Sequence, residues 1–381
     1  MNYSNSWLNL DKKSLIHNLK SFKRIIGDKV DLIPVVKSNA YGHGIDLISK
    51  ALDKQKEVAK LATVNLDEAI YLRQIGIKKP LLVLSYYDLS KIKDLGLRIN
   101  NIEFVIYNLK QANDLNKLAG KLKTKIKIHL KVDTGTSRLG ILPDQAVSFA
   151  KKLAKLKNLQ TYGLFTHFAS AEEVDQTFTI KQIAIFNKVI NNLQKAGIEI
   201  PYKHTACSAA ILLQKDSYFN AVRLGISLYG LWSLEDHKKD IKKKYPWFNL
   251  KPVLAWKTKV IQLKKLPRGT TVGYGRTHRL NRESRIAILP VGYWDGYDRK
   301  LSNKGEVLIK GQRCPILGRV CMNLIMVDLS LLKNVKINDE VVLIGKQGDS
   351  EITADELAAK IGTINYEVIT RINPEISRIL K

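Results

Sequence analysis

The chain has few of the features that mark secreted, membrane or metal-binding proteins. Its 381 residues include three cysteines, Cys207, Cys314 and Cys321, and this odd, sparse set argues against a disulfide framework and fits a reducing cytoplasm. The cysteines and histidines lack zinc-ligand spacing, so no metal is predicted. No run of about 18 apolar residues exists, which predicts no membrane span. Residues 1–7 lack the basic and apolar regions of a signal peptide.

Acidic residues are scarce as well. Lys and Arg number 63 against 35 Asp and Glu, which gives a formal net charge of +28. Such an excess is one signature of nucleic-acid binding. Here the basic residues are spread along the whole chain, and the two densest runs, 121–127 and 238–244, lack the aromatic residues on which bases stack. We predict a solvated strand entrance for the first run, a surface loop for the second, and no specific nucleic acid as partner.

Apolar runs alternate with amphipathic segments up to about residue 240. Runs such as 32–36 and 126–132 are typical of buried strands, while 145–156 and 181–195 have apolar residues at helical spacing. This alternation indicates parallel βαβ units, and about eight of them fit a TIM-like (β/α)8 barrel. The chemistry of such a barrel lies at the carboxyl ends of its strands.

The pattern changes after about residue 245, where proline and glycine become more frequent. Short apolar runs joined by turns, including 253–263 and 315–320, predict a compact, mostly β domain. One helix is predicted after Thr353, because acidic residues follow it in the first turn. We therefore predict an α/β chain whose domains span 8–243 and 244–381, with residues 1–7 packing against the second.

One lysine ends a buried apolar run. Residues 30–36 lead into Lys37, and a turn-rich segment, 38–44, follows. Desolvating a lone ammonium is costly, so burial lowers the pKa of a lysine and leaves a nucleophilic amine. Such an amine can bind a carbonyl cofactor covalently. For Lys37 considered alone, a strand-terminal lysine that reaches solvent is the alternative.

The residues around Lys37 resemble a family signature. Residues 34–44 (PVVKSNAYGHG) are similar to the pyridoxal-phosphate (PLP) lysine motif of alanine racemases, and further matching blocks extend almost to the end of the chain. These blocks are 129–140, 165–169, 204–210, 222–230, 272–277, 289–297, 318–323 and 364–367. The resemblance implies a PLP-dependent racemase with an N-terminal α/β barrel, a C-terminal β domain, and a homodimer whose active sites combine residues of both chains.

The resemblance implies two acid/base residues. Racemisation removes the proton from the α-carbon and returns one to the opposite face. Lys37, which also holds PLP, would serve one face, and Tyr274 of the other subunit would serve the other. A phenol acts as a base at neutral pH only near positive charge, and Arg223 and His167 are the candidates for that tuning. Arg223 would also face the pyridine nitrogen, where a permanent cation disfavours ring protonation and suppresses transamination.

The other site residues follow from the resemblance alone. Arg138 matches the arginine near the PLP phenolic oxygen and the substrate carboxylate, and Met322 matches a substrate contact made by a backbone N–H. Lys131 matches a lysine that is carbamylated in many members, and the resulting anion would orient Arg138. A solvent-facing barrel lysine is the alternative for Lys131. The phosphate contacts match Tyr41, Ser208, Gly225, Ile226 and Tyr366, and the substrate entrance matches Tyr293, Arg299 and Asn323.

Three positions depart from the commoner family pattern. Many relatives have Asn at Cys207, Asp at Asn323 and a small residue at Trp294, so the departures bear on the substrate range more than on the reaction type. We predict a cytoplasmic isomerase that interconverts L- and D-alanine by a two-base mechanism and supplies D-alanine for peptidoglycan. The alternatives are a serine or broad-specificity racemase, a decarboxylase of related fold, which would carry a glutamate in place of Arg223, and a basic nucleic-acid-binding protein.

Overall fold

The computed structural model describes residues 5–91, 99, 101–233 and 236–381. The described residues form two compact units. The first contains residues 16–40 and 48–251, and the second contains the described residues up to Leu15 together with 41–47 and 252–381. The domain boundary predicted between residues 243 and 244 stays a prediction.

The first unit contains a ring of parallel strands. The ring closes because Val36 N donates to Ala62 O at 2.8 Å and Ala59 N donates to Leu32 O at 3.1 Å. Strands such as Leu81–Val83 are buried throughout, as parallel strands covered on both faces must be. The predicted barrel is confirmed. Within the described residues its eight strands, in order around the ring, are Asp31–Pro34, Ala221–Leu224, Tyr202–His204, Leu159–Phe165, Ile126–Lys131, Ile102–Ile106, Leu81–Val83 and Leu61–Thr63.

Helices connect these strands. The helix Leu66–Gln74 shows how the sequence sets them: Asn65 caps it by accepting from Glu68 N at 3.0 Å, and Leu66, Ala69 and Leu72 form its buried face. In the described part of the chain, no helix is long and apolar enough to cross a membrane. The helices from residue 12 to residue 251 are Lys12–Ile26, Ile45–Asp53, Leu66–Gln74, Leu109–Lys121, Ala146–Ala154, Thr177–Lys195, Ser208–Leu213 and Lys238–Lys244.

The two lysine-rich runs have different outcomes. In 121–127, Lys121 ends a helix and the next strand begins at Ile126, with the lysines exposed as predicted. The prediction of a surface loop at 238–244 is wrong, because Lys238–Lys244 is a helix that buries Ile241. Three lysines in its last turn interact favourably with the negative end of the helix dipole.

The second unit is mostly β. Its seven-stranded sheet runs in the order Gln312–Pro315, Glu306–Ile309, Glu340–Gln347, Leu254–Lys259, Ser6–Leu10 and Ser377–Leu380, with Ser350–Ile352 paired to Glu340–Gln347. A second sheet contains Gln262–Leu266, Ser284–Leu289 and Ile325–Asp328, and a hairpin pairs Thr271–Val272 with His278–Arg279. The predicted mostly-β C-terminal domain is confirmed.

Several predicted details of this unit need correction. The run 253–263 is not one strand but parts of two, Leu254–Lys259 and Gln262–Leu266, which lie in different sheets. The strand predicted at 315–320 ends at Pro315 instead, and Gly318 turns the chain with φ +75°. The helix predicted after Thr353 is Ala354–Ile361, and a second helix, Asn365–Thr370, was not predicted.

Candidate active site

Lys37 lies at the carboxyl end of the barrel strand Asp31–Pro34 and leads into a left-handed turn. Ser38, Asn39, Ala40 and Tyr41 have φ between 52 and 55°. A non-glycine residue in this conformation costs roughly 1–2 kcal/mol, so four in succession require strong support from their surroundings. The sequence predicted a turn here but not its hand, because glycine, the usual signal of positive φ, begins only after the turn at Gly42.

A carboxylate that the sequence analysis missed supports this turn. Ser38 N donates to Glu68 Oε1 at 2.6 Å, Val64 N donates to Oε2 at 2.9 Å, and the backbone of Asn39 also bonds the carboxylate. Burial raises the pKa of Glu68, and these hydrogen bonds and Lys37 oppose the rise. The available signal was the spacing of Asn65 and Glu68, which resembles a capping box and brings a carboxylate to the start of a helix.

Four basic side chains and one histidine form an electrostatic cluster. Burial lowers the pKa of Lys37, and Arg138 lowers it further while Glu68 opposes the change. Burial, with Arg223 and Arg138, lowers the pKa of Lys131 to about 8. Burial and the four neighbouring cations hold the pKa of His167 well below its ordinary value. The structure therefore brings together five residues that the sequence assigned to one site.

An aspartate organises the loop that carries Arg138. Asp133 Oδ1 accepts from the backbone N–H groups of Gly135, Thr136 and Ser137 at 2.8–3.1 Å. Its other oxygen accepts from Arg138 N at 2.9 Å. These hydrogen bonds fix the backbone of Arg138 next to the strand that contains Lys131.

Arg223 is buried and held by backbone carbonyls. Its Nη2 donates to Thr166 O at 2.8 Å and to Thr205 O at 2.9 Å, and its Nη1 donates to His204 O at 2.9 Å. His167 Nδ1 lies 3.5 Å from Nη2. These three hydrogen bonds to backbone carbonyls fix the plane of the guanidinium, so Arg223 presents its positive charge in one orientation.

Residues predicted to bind phosphate are paired within each unit. In the barrel unit, Gly225 N donates to Ser208 Oγ at 2.9 Å, which leaves the serine hydroxyl proton available as a donor. Ile226 begins a short 3-10 helix directly after Gly225. In the other unit, the rings of Tyr41 and Tyr366 lie 6.2 Å apart. Each unit therefore presents part of a set of neutral donors.

Exposed residues of the second unit share one face. Tyr293 N donates to Cys321 O and Trp294 N donates to Met322 O, both at 3.0 Å, and Arg299 lies close enough to Cys321 to lower the pKa of its thiol against the effect of burial. Asn323 follows Met322 and is exposed. The predicted entrance residues are thus neighbours.

Tyr274 stands in a short 3-10 turn of the second unit. The glycines on either side of it have φ +72° and +70°. A Cβ at Gly275 would lie 2.9 Å from Arg319 Cζ, so the turn passes directly over a guanidinium. The Tyr274 side chain is 73% exposed, and its phenol is therefore accessible to another molecule.

Buried histidines make the stability of the fold sensitive to acid. Burial lowers the pKa of His129, His167 and His204, so the unfolded chain takes up protons below about pH 6.5 that the folded chain does not. We expect the free energy of unfolding to fall as the pH drops from about 7.5 to about 5.5, by up to about 1.4 kcal/mol per pH unit for each histidine. Denaturant titrations at both pH values measure this. The variant His237→Gln, at a histidine that is only partly buried, should show the same fall, and a pH-independent free energy of unfolding would contradict the interpretation.

Comparisons with known proteins agree along the whole chain. The model of the alanine racemase N-terminal domain matches residues 10–233, and that of the C-terminal domain matches 253–380. The alanine racemase of Halothermothrix orenii is 42% identical, with 99% of this chain and 97% of that protein covered. The alanine racemase of Methanococcus maripaludis is 40% identical, with 98% of each covered.

Solved structures give the same result. Alanine racemase from Clostridium difficile 630 matches with a TM-score of 0.93 at 35% identity, covering 100% of this chain and 96% of that chain. Alanine racemase from Bacillus anthracis with bound L-Ala-P matches with a TM-score of 0.88 at 35% identity, covering 98% and 94%. The resemblance seen in the sequence motifs is confirmed. With both domains matched in order and nearly every residue covered, the chain belongs to the alanine racemase family.

Proposed function

We propose that the chain interconverts L- and D-alanine with PLP bound at Lys37, and so supplies D-alanine for peptidoglycan. The observation that carries this proposal is the cluster of Lys37, Arg138, Lys131 and Arg223. Burial and Arg138 lower the pKa of the Lys37 amine, and burial with Arg223 and Arg138 lowers that of Lys131. Such a cluster attracts an anionic ligand such as a substrate carboxylate, and the lowered pKa leaves more of the Lys37 amine unprotonated.

The residues present fit PLP. Bound PLP would make the α-proton of alanine acidic by delocalising the negative charge left on the carbon. Arg223 would face the pyridine nitrogen as a donor-only cation, with His167 beside it. Arg138 would bind the phenolic oxygen and the substrate carboxylate, with help from the Met322 N–H. The phosphate would be held by Tyr41, Ser208, Gly225, Ile226 and Tyr366, a set without formal positive charge.

Lys37 and Tyr274 would move the proton. Once its amine is free, Lys37 removes or returns the proton on one face of the α-carbon. Tyr274 would do the same on the other face, from the second copy of a homodimer. The exposure of Tyr274 supports this role, because its side chain can be reached by a second copy of the chain.

The reaction would take place in the cytoplasm. Cys207, Cys314 and Cys321 are free thiols, which suits a reducing compartment. The entrance to the site would be formed by Tyr293, Arg299 and Asn323, which lie on the same unit as Tyr274. Trp294, beside Tyr293, is 53% exposed and adds bulk there.

Lys131 is proposed to be carbamylated. Its pKa of about 8 leaves an appreciable unprotonated fraction near neutral pH, and that amine attacks carbon dioxide, forming a C–N bond and releasing one proton to solvent. The product is an anion that pairs with Arg138 instead of repelling it. Protein equilibrated with ¹³C-labelled bicarbonate should show a carbamate carbon resonance that is absent from Lys131→Met. The same resonance in Lys131→Met would assign the carbamate elsewhere, and no resonance in the unchanged protein would refute carbamylation.

A racemisation screen tests the reaction itself. Purified protein with PLP is incubated with single enantiomers of alanine and serine, and the products are separated by chiral chromatography. We expect either enantiomer of alanine to give an equal mixture of both, faster than serine does. Faster turnover of serine would indicate a different substrate preference, and release of an amine with carbon dioxide would indicate decarboxylation. No product from any amino acid would refute the proposed reaction.

A further inference from the structure

A buried chain of side chains leads from Arg223 into the barrel interior. Arg223 Nη1 lies 2.5 Å from His204 Nδ1, and His204 Nε2 lies 2.9 Å from His129 Nδ1. His129 Nε2 lies 2.7 Å from Glu103 Oε2, and Lys60 Nζ lies 2.7 Å from the same oxygen. All five residues are at most 5% exposed. We call this chain the barrel relay.

The backbone makes room for the barrel relay. His129 and His204 lie on strands that flank Leu159–Phe165 on opposite sides, and Gly163 in that strand has no side chain to separate the rings. A Cβ at Gly163 would lie 2.0 Å from His129 Nδ1. Contact between the two imidazoles therefore depends on glycine at this position.

The chemistry of the two ends fixes the direction of every hydrogen bond. Arg223 can only donate, so His204 Nδ1 must accept, and the proton of the neutral ring must lie on Nε2. That N–H donates to His129 Nδ1, which places the His129 proton on Nε2, facing Glu103. An ionised carboxylate only accepts. One tautomer of each histidine therefore satisfies the whole chain, and it is the same tautomer in both.

Ionisation states agree with this assignment. Burial alone would raise the pKa of Glu103, yet His129 and Lys60 together lower it to about 2, so the carboxylate is ionised. Burial and Arg223 hold the pKa of His204 well below its ordinary value. Burial lowers the pKa of His129 as well. A protonated His204 would direct an N–H at the guanidinium of Arg223, where two donors would face each other.

We propose that Glu103 is a positioning residue for Arg223, acting through His129 and His204, and that Lys60 holds the Glu103 carboxylate in place. Glu103 is the acceptor at which the chain of donors ends. Without Glu103 the His129 Nε2–H has no acceptor, and this hydrogen bond no longer favours the Nε2–H tautomer in either ring. Arg223 then loses the ring nitrogen that receives Nη1, although its three carbonyl contacts remain.

The catalytic consequence rests on the proposed function. In that proposal Arg223 faces the pyridine nitrogen and suppresses transamination. Transamination oxidises alanine to pyruvate, whose oxygen comes from water, while the cofactor is reduced and retains the amino group. A guanidinium that is less firmly oriented suppresses this side reaction less well. Glu103 is therefore expected to affect the fidelity of the reaction without touching substrate or cofactor.

Paired substitutions keep the test interpretable. Removing Glu103 alone would leave Lys60 as an unpaired buried cation, which destabilises a fold. The double substitution Lys60→Met/Glu103→Leu, called the leucine variant, removes both charges and the acceptor. The double substitution Lys60→Met/Glu103→Gln, called the glutamine variant, removes the charges but keeps a carbonyl oxygen that can accept from His129, so it is the matched control. Denaturant unfolding of both variants shows that each is folded.

The first measurement needs no cofactor. In protein labelled with ¹⁵N-histidine and stripped of PLP, ring nitrogens with and without a proton have separate chemical shifts, and signals are assigned by loss in His129→Asn. We expect Nε2–H in both relay histidines of the unchanged protein, loss of that single tautomer at His129 in the leucine variant, and its return in the glutamine variant. Unaltered tautomers in the leucine variant would overturn the proposal.

The second measurement follows fidelity. Pyruvate and the opposite enantiomer are quantified from the same reaction with the PLP-loaded protein. We expect the leucine variant to release about tenfold or more pyruvate per racemisation turnover than the unchanged protein, and the glutamine variant to stay close to the unchanged protein. An unaltered ratio despite altered tautomers would overturn the positioning role. If the unchanged protein racemises nothing, the proposed function fails, while the tautomer measurement still decides the fate of the relay.

Discussion

Replacing Lys37 with alanine is expected to lower racemase activity by on the order of 10⁴-fold or more, because one residue would supply both the covalent attachment of PLP and the general base on one face. Lys37 is half-buried behind a left-handed turn, next to Arg138 and Glu68. Chiral analysis of alanine measures the activity.

The same variant should also lose a spectroscopic signal. The unchanged protein with bound PLP should absorb visible light, and borohydride should remove that absorbance by fixing the cofactor to the chain. Lys37→Ala should show neither the absorbance nor fixation, whereas Lys50→Ala, an exposed lysine on the helix Ile45–Asp53, should behave like the unchanged protein. Cofactor fixed to Lys37→Ala by borohydride would show that another lysine is the attachment site.

Tyr274→Phe is expected to bind PLP normally and to lose racemase activity by about 10²- to 10⁴-fold, the usual contribution of a positioned acid/base. The overall reaction must slow equally in both directions, since the equilibrium constant between enantiomers is fixed. Exchange of the α-proton separates the faces. In heavy water, the enantiomer whose proton faces Lys37 should still exchange, while the other should not. Exchange of both enantiomers at unchanged rates would refute the two-base assignment.

Mixing two inactive variants tests which chain supplies Tyr274. In a mixed dimer of Lys37→Ala with Tyr274→Phe, one site would combine an intact Lys37 from one copy with an intact Tyr274 from its partner. Half of the dimers in a random mixture are mixed and each has one such site, so about a quarter of the unmodified activity should return. No recovery would place Tyr274 in the site of its own chain. Tyr71→Phe, a partly exposed tyrosine on a barrel helix, is the control for loss of a phenol.

The sequence predicted the barrel well because its strands are buried on both faces. A parallel strand of this kind is a continuous apolar run, and runs such as 126–132 are visible without any knowledge of partners. The helix Lys238–Lys244 was mistaken for a loop because a single buried residue, Ile241, gives almost no periodicity. The hand of the turn after Lys37 was unpredictable, since residues 38–41 are not glycine.

Motif matches supplied the residues of the candidate site, but they could not supply the individual contacts between those residues. Arg223, Lys131 and Arg138 were placed in one site by resemblance, and in the structure both arginines lower the pKa of Lys131. Glu68 was missed because its contact with Ser38 joins two elements that are 30 residues apart. Glu103 was missed for a similar reason, since its partners Lys60 and His129 come from other strands of the ring. Pairings of this kind are set by the ring of strands and not by local spacing.

The barrel relay also determines where protons cannot travel. Protons hop along a hydrogen-bonded path only if each member can take one up on one side and release one on the other. Arg223 accepts none, so a proton that enters from Glu103 can reach His204 at most and must return the same way. The barrel relay therefore does not conduct protons past Arg223, despite its unbroken hydrogen bonds. Under the proposed two-base mechanism, solvent hydrogen that appears on the α-carbon of the product would come through Lys37 and Tyr274, and its isotopic content would report on them.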